Sequence, residues 1–208
     1  MDYTELTTNI TEICESSFTA DQLAMFTQQA ENLLYQTLDL PAQRVNVTGT
    51  LTTDSPYLSA PTGILNVYSL AVVDGDDRYN YLLQKDVAFM REAYPDPTDT
   101  GVPKFYAYFD EDTFIVGPTP DDDYEVELHY KGYPESIVTA DNTWLGDNFD
   151  TALLNGALVQ AIRFMKGPED MVALYQGLYN EAVSLITAQD TVNFRSDAYR
   201  QDGGPDRG

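Results

Sequence analysis

The sequence predicts an α+β fold: N- and C-terminal helices packed as a small bundle, with an antiparallel β-domain inserted between them. Two observations predict it. Apolar residues recur at helical spacing near both ends of the chain and alternate strictly in the middle, and the middle is cut into short pieces by Gly-, Pro- and Asp-rich turns. With 208 residues, 43% hydrophobic and 12% aromatic, the chain has the means for a real core and for one domain, or one and a half. The expected division is a helical domain over 1–40 plus 147–188, a β-rich insertion with one short helix over 41–146, and an extended C-terminal tail over 189–208.

The elements follow in order. Leu6, Ile10 and Ile13 predict a helix over 3–14, broken by Ser16-Ser17-Phe18-Thr19. Thr19 or Asp21 caps the next helix, over about 21–38, whose apolar face holds Leu23, Phe26, Ala30, Leu33, Leu34 and Leu38 until Pro41 stops it. The period then changes to two. Residues 44–51 alternate as a half-buried strand, and 64–73 form another, ended by the Asp74-Gly75 turn. A short helix is expected over 81–93. Strands 104–109 and 113–116 form a hairpin around Asp110-Glu111-Asp112. Along 124–130, Tyr124, Val126, Leu128 and Tyr130 face inward, while Glu125, Glu127 and His129 face out as a solvated edge. Asp147 or Asn148 caps a helix over 149–166. Gly167 as its C′ residue and Pro168 as the next N1 fold the chain into an antiparallel hairpin with a helix over 168–187. After Ala188 the apolar period fades.

Charge excludes several classes of function. The chain carries 34 acids against 11 bases, a net −23. Residues 1–43 hold seven acids and no Lys or Arg. The tail 189–208, with three arginines and four aspartates, is near −1, so the other 188 residues carry about −22 from 30 acids and 8 bases. Phosphate contacts need cations, so such a body repels a polyanion and does not suit a membrane surface. One cysteine, Cys14, excludes an intrachain disulfide framework and a multi-Cys zinc site. No apolar run approaches the ~20 residues of a membrane span, and the first ten residues have neither the basic nor the apolar region of an export signal. The Asn9 and Asn46 sequons are therefore read as chance. The acidity suits a solvated or salt-adapted surface, or one that repels something anionic.

No nucleophile elbow, phosphate-binding glycine loop or zinc-protease motif occurs. The single histidine, His129, shares a strand face with Glu125 and Glu127, where residues ~7 Å apart do not converge on one ion. Asp74-Gly75-Asp76-Asp77 and Asp121-Asp122-Asp123 lack spaced calcium ligands, and the twelfth position from Asp74 is Lys85 rather than a closing Glu. A carboxylate-pair hydrolase and a generic acidic or halophilic interaction domain are the rival functions, but 34 acids make no single pair informative. No catalytic residue, metal ligand or cofactor is expected. Fifteen tyrosines, several of them outside the periodic core positions, suit an interface.

A set of short segments then carries a resemblance: Gly101-Val102-Pro103-Lys104-Phe105-Tyr106, Val116-Gly117-Pro118-Thr119-Pro120, Tyr124–Tyr130, Pro134-Glu135-Ser136-Ile137, Asn142-Thr143-Trp144-Leu145, and the Leu153–Leu158 helix followed by a last amphipathic helix. In this order and spacing the chain resembles the phage head-to-tail adaptor (neck or connector) family, tail tubular protein A-like, over most of residues 1–187. Gln160 departs from the charged residue common there, and 189–208 does not align. The resemblance implies a structural virion protein at the head–tail interface, made in the host cytoplasm. It implies a homo-oligomeric ring, commonly a dodecamer, between the portal and a tail, nozzle or tail-terminator protein, with viral DNA passing through without specific binding. Phe194, Arg195, Tyr199 and Arg200 are the expected portal contacts. Tyr57, Tyr79, Asp110, Glu111, Asp121 and Asp122 are the expected tail-facing residues of the β-domain.

Overall fold

The computed structural model describes residues 1–76 and 78–198, with side chains through Ala188. Two compact units result: one joins Met1–Leu40 to the chain from Glu135 onward, and the other is Pro41–Pro134. The α+β expectation holds.

The chain opens with α1 (Tyr3–Ile13) and α2 (Ala20–Thr37). Both start on capping boxes, which satisfy backbone donors that a helix leaves unpaired. Asp2 accepts from Glu5 N–H at 2.7 Å while Asp2 N–H donates to Glu5. Thr19 and Gln22 exchange the same pair of bonds, so Thr19 rather than Asp21 is the cap.

The second unit holds β1 (Arg44–Leu51), β2 (Tyr57–Ser59), β3 (Ile64–Val73), β4 (Tyr79–Tyr81), β5 (Leu83–Gln84), α3 (Val87–Ala93), β6 (Phe105–Asp110), β7 (Thr113–Gly117) and β8 (Tyr124–Gly132). They form two four-stranded sheets, ordered β1-β8-β3-β4 and β2-β7-β6-β5. Every pairing is antiparallel except β5 with β6. Leu51, Leu70, Val72, Val126 and Leu128 from the first sheet share one core with Leu58, Phe114 and Val116 from the second. The alternation on β8 holds: Val126, Leu128 and Tyr130 are buried. But β8 lies between β1 and β3, so its acidic row is on an outer face and not at an edge. The helix expected over 81–93 begins only at Val87, where Asp86 accepts from Phe89 N–H at 2.7 Å. Residues 79–84 instead form two short strands, β4 as a hairpin on β3 across the Asp74 turn.

The chain returns through α4 (Ile137–Ala140), α5 (Trp144–Asn148), α6 (Asp150–Phe164) and α7 (Glu169–Ala198). Ile137 and Leu145 are fully buried in the helical core. The unit boundary therefore falls at Glu135, ahead of the 146/147 division expected, because helices of four and five residues are too short to show a period. α6 is the central helix. It packs against α1, α2 and α7, and Gly156 lets Ala30 of α2 and Tyr179 of α7 close to about 3.1–3.3 Å of where a Cβ would stand. Neither Asp147 nor Asn148 caps α6; Phe149 holds the N-cap position with no side-chain bond. α7 continues ten residues past Ala188, so the extended conformation expected from 189 does not describe 189–198; residues 199–208 lie outside the described residues.

The α6–α7 turn is a Schellman motif shifted by one residue from expectation. Gly167 N–H donates to Ile162 O at 2.9 Å and Lys166 N–H to Arg163 O at 3.1 Å, which places Lys166 (φ 54°), not Gly167, in the left-handed C′ position. Gly167 is required for another reason: a Cβ there would sit 2.6 Å from Ile162 Cγ2. Urea unfolding checks both points. Lys166→Gly is expected to raise stability by up to ~1 kcal/mol, and Gly167→Ala to lower it by ~1–3 kcal/mol.

Candidate functional site

Asp74, Asp121, Asp122 and Asp123 accept hydrogen bonds at turns. Asp74 accepts from Asp76 N–H at 3.0 Å, Arg78 N–H at 3.1 Å and Asn80 Nδ2 at 3.2 Å, and the Arg78 and Asp76 amides lead in holding its carboxyl below the usual range. Asp123 accepts from Thr53 N–H at 2.7 Å and Thr53 Oγ1 at 2.9 Å, with the same effect. Asp122 accepts from Asp123 N–H. Asp121 accepts from the Tyr124 hydroxyl at 2.6 Å, and that bond, then burial and the charges of Asp121, Asp122 and Asp74, push the phenol up to about 12. Asp77 lies outside the described residues.

One end of the first sheet is thus an acidic rim. β1 ends, β3 ends and β8 begins there, with Leu51 opposite Tyr124 and Val73 opposite Glu125. At the other end Arg44 pairs with Lys131. Of the six residues expected to face the tail, Tyr79, Asp121 and Asp122 belong to this acidic end. Asp110 and Glu111 precede β7 whereas Asp121 and Asp122 follow it, so the two acidic turns stand at opposite ends of that strand. Tyr57 stacks edge-on against Phe109 at 5.3 Å, and the Arg91 guanidinium lies 5.9 Å from the Phe109 ring. Neither contact was apparent in the sequence, because β2, β6 and α3 come together only through non-local packing.

Glu125, Glu127 and His129 stay on the outward face of β8, opposite Val73, Ala71 and Ser69 of β3; the His129 ring lies 5.1 Å from Tyr68. No group of three or more His, Cys, Asp or Glu able to hold a metal occurs among the described residues. The side chains of Phe194 and Arg195, and all of Tyr199 and Arg200, lie outside the described residues.

The helical unit holds one acid that sequence reasoning passed over. Glu31 is 2% exposed on the inner face of α2, accepting from Ser136 Oγ at 2.5 Å and from Ile137 N–H at 2.9 Å. It caps α4 from outside, while the Ser136 hydroxyl accepts from Val138 N–H. Its signal was legible: Glu31 sits one turn from Thr27 and Leu34 and on the same face. Burial pushes its carboxyl above the ordinary 4.5, against the opposing pull of the Ile137 and Ser136 hydrogen bonds. Burial, and secondarily the Glu31 charge, raises the Tyr35 phenol.

A family model described as SU10 adaptor protein matches residues 1–202 of the chain. No curated protein matches it.

A raised folded-state pKa means the folded protein binds more protons than the unfolded chain above pH 4.5, so the Glu31 contribution to stability falls as pH rises through the folded value. Glu31→Gln is expected to gain in stability relative to the parent between about pH 4 and pH 7, read by urea titrations at each pH. Glu31→Ala leaves a buried amide and hydroxyl without their acceptor and is expected to cost ~1–3 kcal/mol at pH 7.

Proposed function

The chain belongs to the SU10 adaptor protein family, a phage head-to-tail adaptor family, and from that premise we propose that it joins the portal of a phage head to the tail as one subunit of a ring around the DNA passage. The family match along nearly the whole chain carries this reading. The charge supports it. Double-stranded DNA binds proteins largely through counterion release to Lys and Arg, and a subunit of net −23 offers passing DNA repulsion in place of adhesion. Its function is to position partners, and no bond is made or broken.

The two units have different parts in this reading. The β unit turns its acidic rim, with Tyr79, Asp121 and Asp122, toward the tail protein, and Tyr57 with Phe109 and Arg91 adds an aromatic patch. The portal contact falls to the last turns of α7 and the chain beyond, where Phe194, Arg195, Tyr199 and Arg200 give the aromatic and guanidinium anchors favoured in interfaces.

Light scattering of the purified chain, alone and mixed with portal rings, tests the role. The expected result is a complex of several copies per portal; a chain that stays monomeric and ignores portal rings contradicts it. Deleting 189–208, with helical content checked by circular dichroism, is expected to lower portal affinity at least tenfold, as is the double variant Phe194→Ala/Arg195→Ala at full length. Unchanged affinity in both would remove the terminal segment from the contact.

A further inference from the structure

We propose that a cleft in the β unit, between α3 and the strands β2 and β7, docks a peptide segment of a partner protein in which a tyrosine side chain stands next to Asp or Glu. The inference deepens the reading above, in which the Tyr57 patch meets the tail protein, and rests on that reading only for which partner carries the segment.

The cleft encloses about 160 Å³. Its walls are Met90, Arg91 and Tyr94 from α3 and its C-cap, Tyr57 from β2 and Val116 from β7, and Thr119 also lines it. Close packing builds the site. A Cβ on Gly117, the last residue of β7, would stand 2.6 Å from the Tyr94 ring and 2.8 Å from Met90 Cε, so α3 lies over β7 only because that position is bare. Asp86 fixes the start of α3 by accepting from Phe89 N–H, and the Tyr94 ring lies 6.4 Å from that of Phe105. Small-molecule pockets usually run to ~300–1,000 Å³. This cleft is too small for a cofactor and suits one large side chain.

Two observations select the chemistry of that side chain and of its neighbour. The first is Thr119, 4% exposed, whose hydroxyl has no hydrogen-bond partner among the described residues. A buried hydroxyl without a partner is unfavourable. The rest of the lining is apolar apart from the two tyrosines and Arg91. An occupant with an aromatic body and a hydroxyl tip, a tyrosine, meets both the apolar walls and the Thr119 hydroxyl. The second is Arg91, the only charged residue that lines the cleft. It is exposed, its guanidinium lies 5.9 Å from the Phe109 ring, and no carboxylate is in ion-pair range of it among the described residues. The nearby acids have other tasks. Asp86 caps α3, Asp96 accepts from Thr98 N–H at 2.9 Å and Thr98 Oγ1 at 2.7 Å, and Asp110 accepts from Asp112 N–H at 3.0 Å. Glu92 follows Arg91 by one position, about 100° round the helix. The guanidinium is therefore held over an aromatic face and open to a carboxylate from outside. Tyr57, 50% exposed, and Phe109, 37% exposed, carry the apolar surface beyond the mouth of the cleft, which gives the residues flanking the tyrosine a ledge.

Nuclear magnetic resonance of the isotope-labelled full chain tests the site with the blocked pentapeptide acetyl-Gly-Glu-Tyr-Glu-Gly-amide. Saturable shifts are expected at the amides of Arg91, Tyr94, Ile115, Val116 and Thr119. Phenylalanine in place of the peptide's tyrosine is expected to weaken binding roughly fivefold, the loss of one hydrogen bond, and alanine to abolish it. Glutamine in place of both glutamates is expected to weaken binding roughly fivefold as well. This series on the parent chain needs no variant to fold. Shifts that are absent, or that fall elsewhere, overturn the inference; the portal-binding test above does not depend on them, so the adaptor reading then stands. Inorganic phosphate or a short DNA strand that moves the same amides as strongly as the peptide would mean a bare anion site and also overturn it. Two variants assign the roles. Arg91→Gln is expected to bind the glutamine peptide as the parent does and to lose the preference for the glutamate one. If both peptides weaken alike, Arg91 supports only the end of α3 and the inference fails. Thr119→Val, with its unfolding midpoint compared with that of the parent, is expected to lose the preference for tyrosine over phenylalanine; a preference that persists contradicts the part given to Thr119.

Discussion

The helical unit is built from two pieces of chain held apart in sequence by everything between Pro41 and Pro134, and α6 is what makes them one body. α6 arrives from the second piece and buries Leu153, Ala157, Leu158 and Ala161 among Leu6 and Ile10 of α1, Phe26, Ala30 and Leu34 of α2, and Tyr179 and Ile186 of α7. Hydrophobic contact of this kind is strong but undirected. Direction comes from Glu31, whose carboxylate receives the Ser136 hydroxyl and the Ile137 amide just as the chain re-enters the unit. Removing water from a carboxylate is unfavourable, and two hydrogen bonds offset that only when the return segment is in register. The β unit is a closed body of its own, with its two sheets sharing a core.

Much of the surface follows from what the core does not need. Asp74 and Asp121–Asp123 serve as turn caps, so the acidity of the β unit is partly local structure made from oxygen acceptors. The accumulated charge has a consequence at larger scale. On the ring reading, a body of net −23 repels passing DNA. On that reading, solubility and DNA transit share one physical origin.

The parts of the fold legible in sequence were those with a long, regular period. α1, α2, α6, β1, β3, β6, β7 and β8 appear within a few residues of where apolar spacing put them, and the inward side of β8 was correct. What failed was local or non-local. Residues 81–84 read as helix because Leu82 and Leu83 continue the spacing of Val87 and Met90, yet pairing of this stretch with β3 and β6 makes strands of it. α4 and α5 are too short to announce themselves, so Ile137 and Leu145 were assigned to the wrong unit. The central place of β8 depends on partners more than fifty residues away, which alternation cannot identify. Lys166 took the left-handed turn position because the helix ran one residue shorter than Gly167 suggested. Among candidate surfaces, the acidic turns were legible as turns; the Tyr57–Phe109–Arg91 patch was not, since packing of β2, β6 and α3 assembles it. The family match over residues 1–202 agrees with a resemblance that was read from several short segments in order rather than from any one of them.

The account stands or falls on where the subunit sits in an assembled phage particle. An electron-microscopic reconstruction of purified particles at side-chain resolution measures this directly. The account predicts a closed ring of this chain between portal and tail, with the genome channel on its axis. Particles that lack the chain, or that hold it as isolated copies away from the head–tail junction, would contradict it.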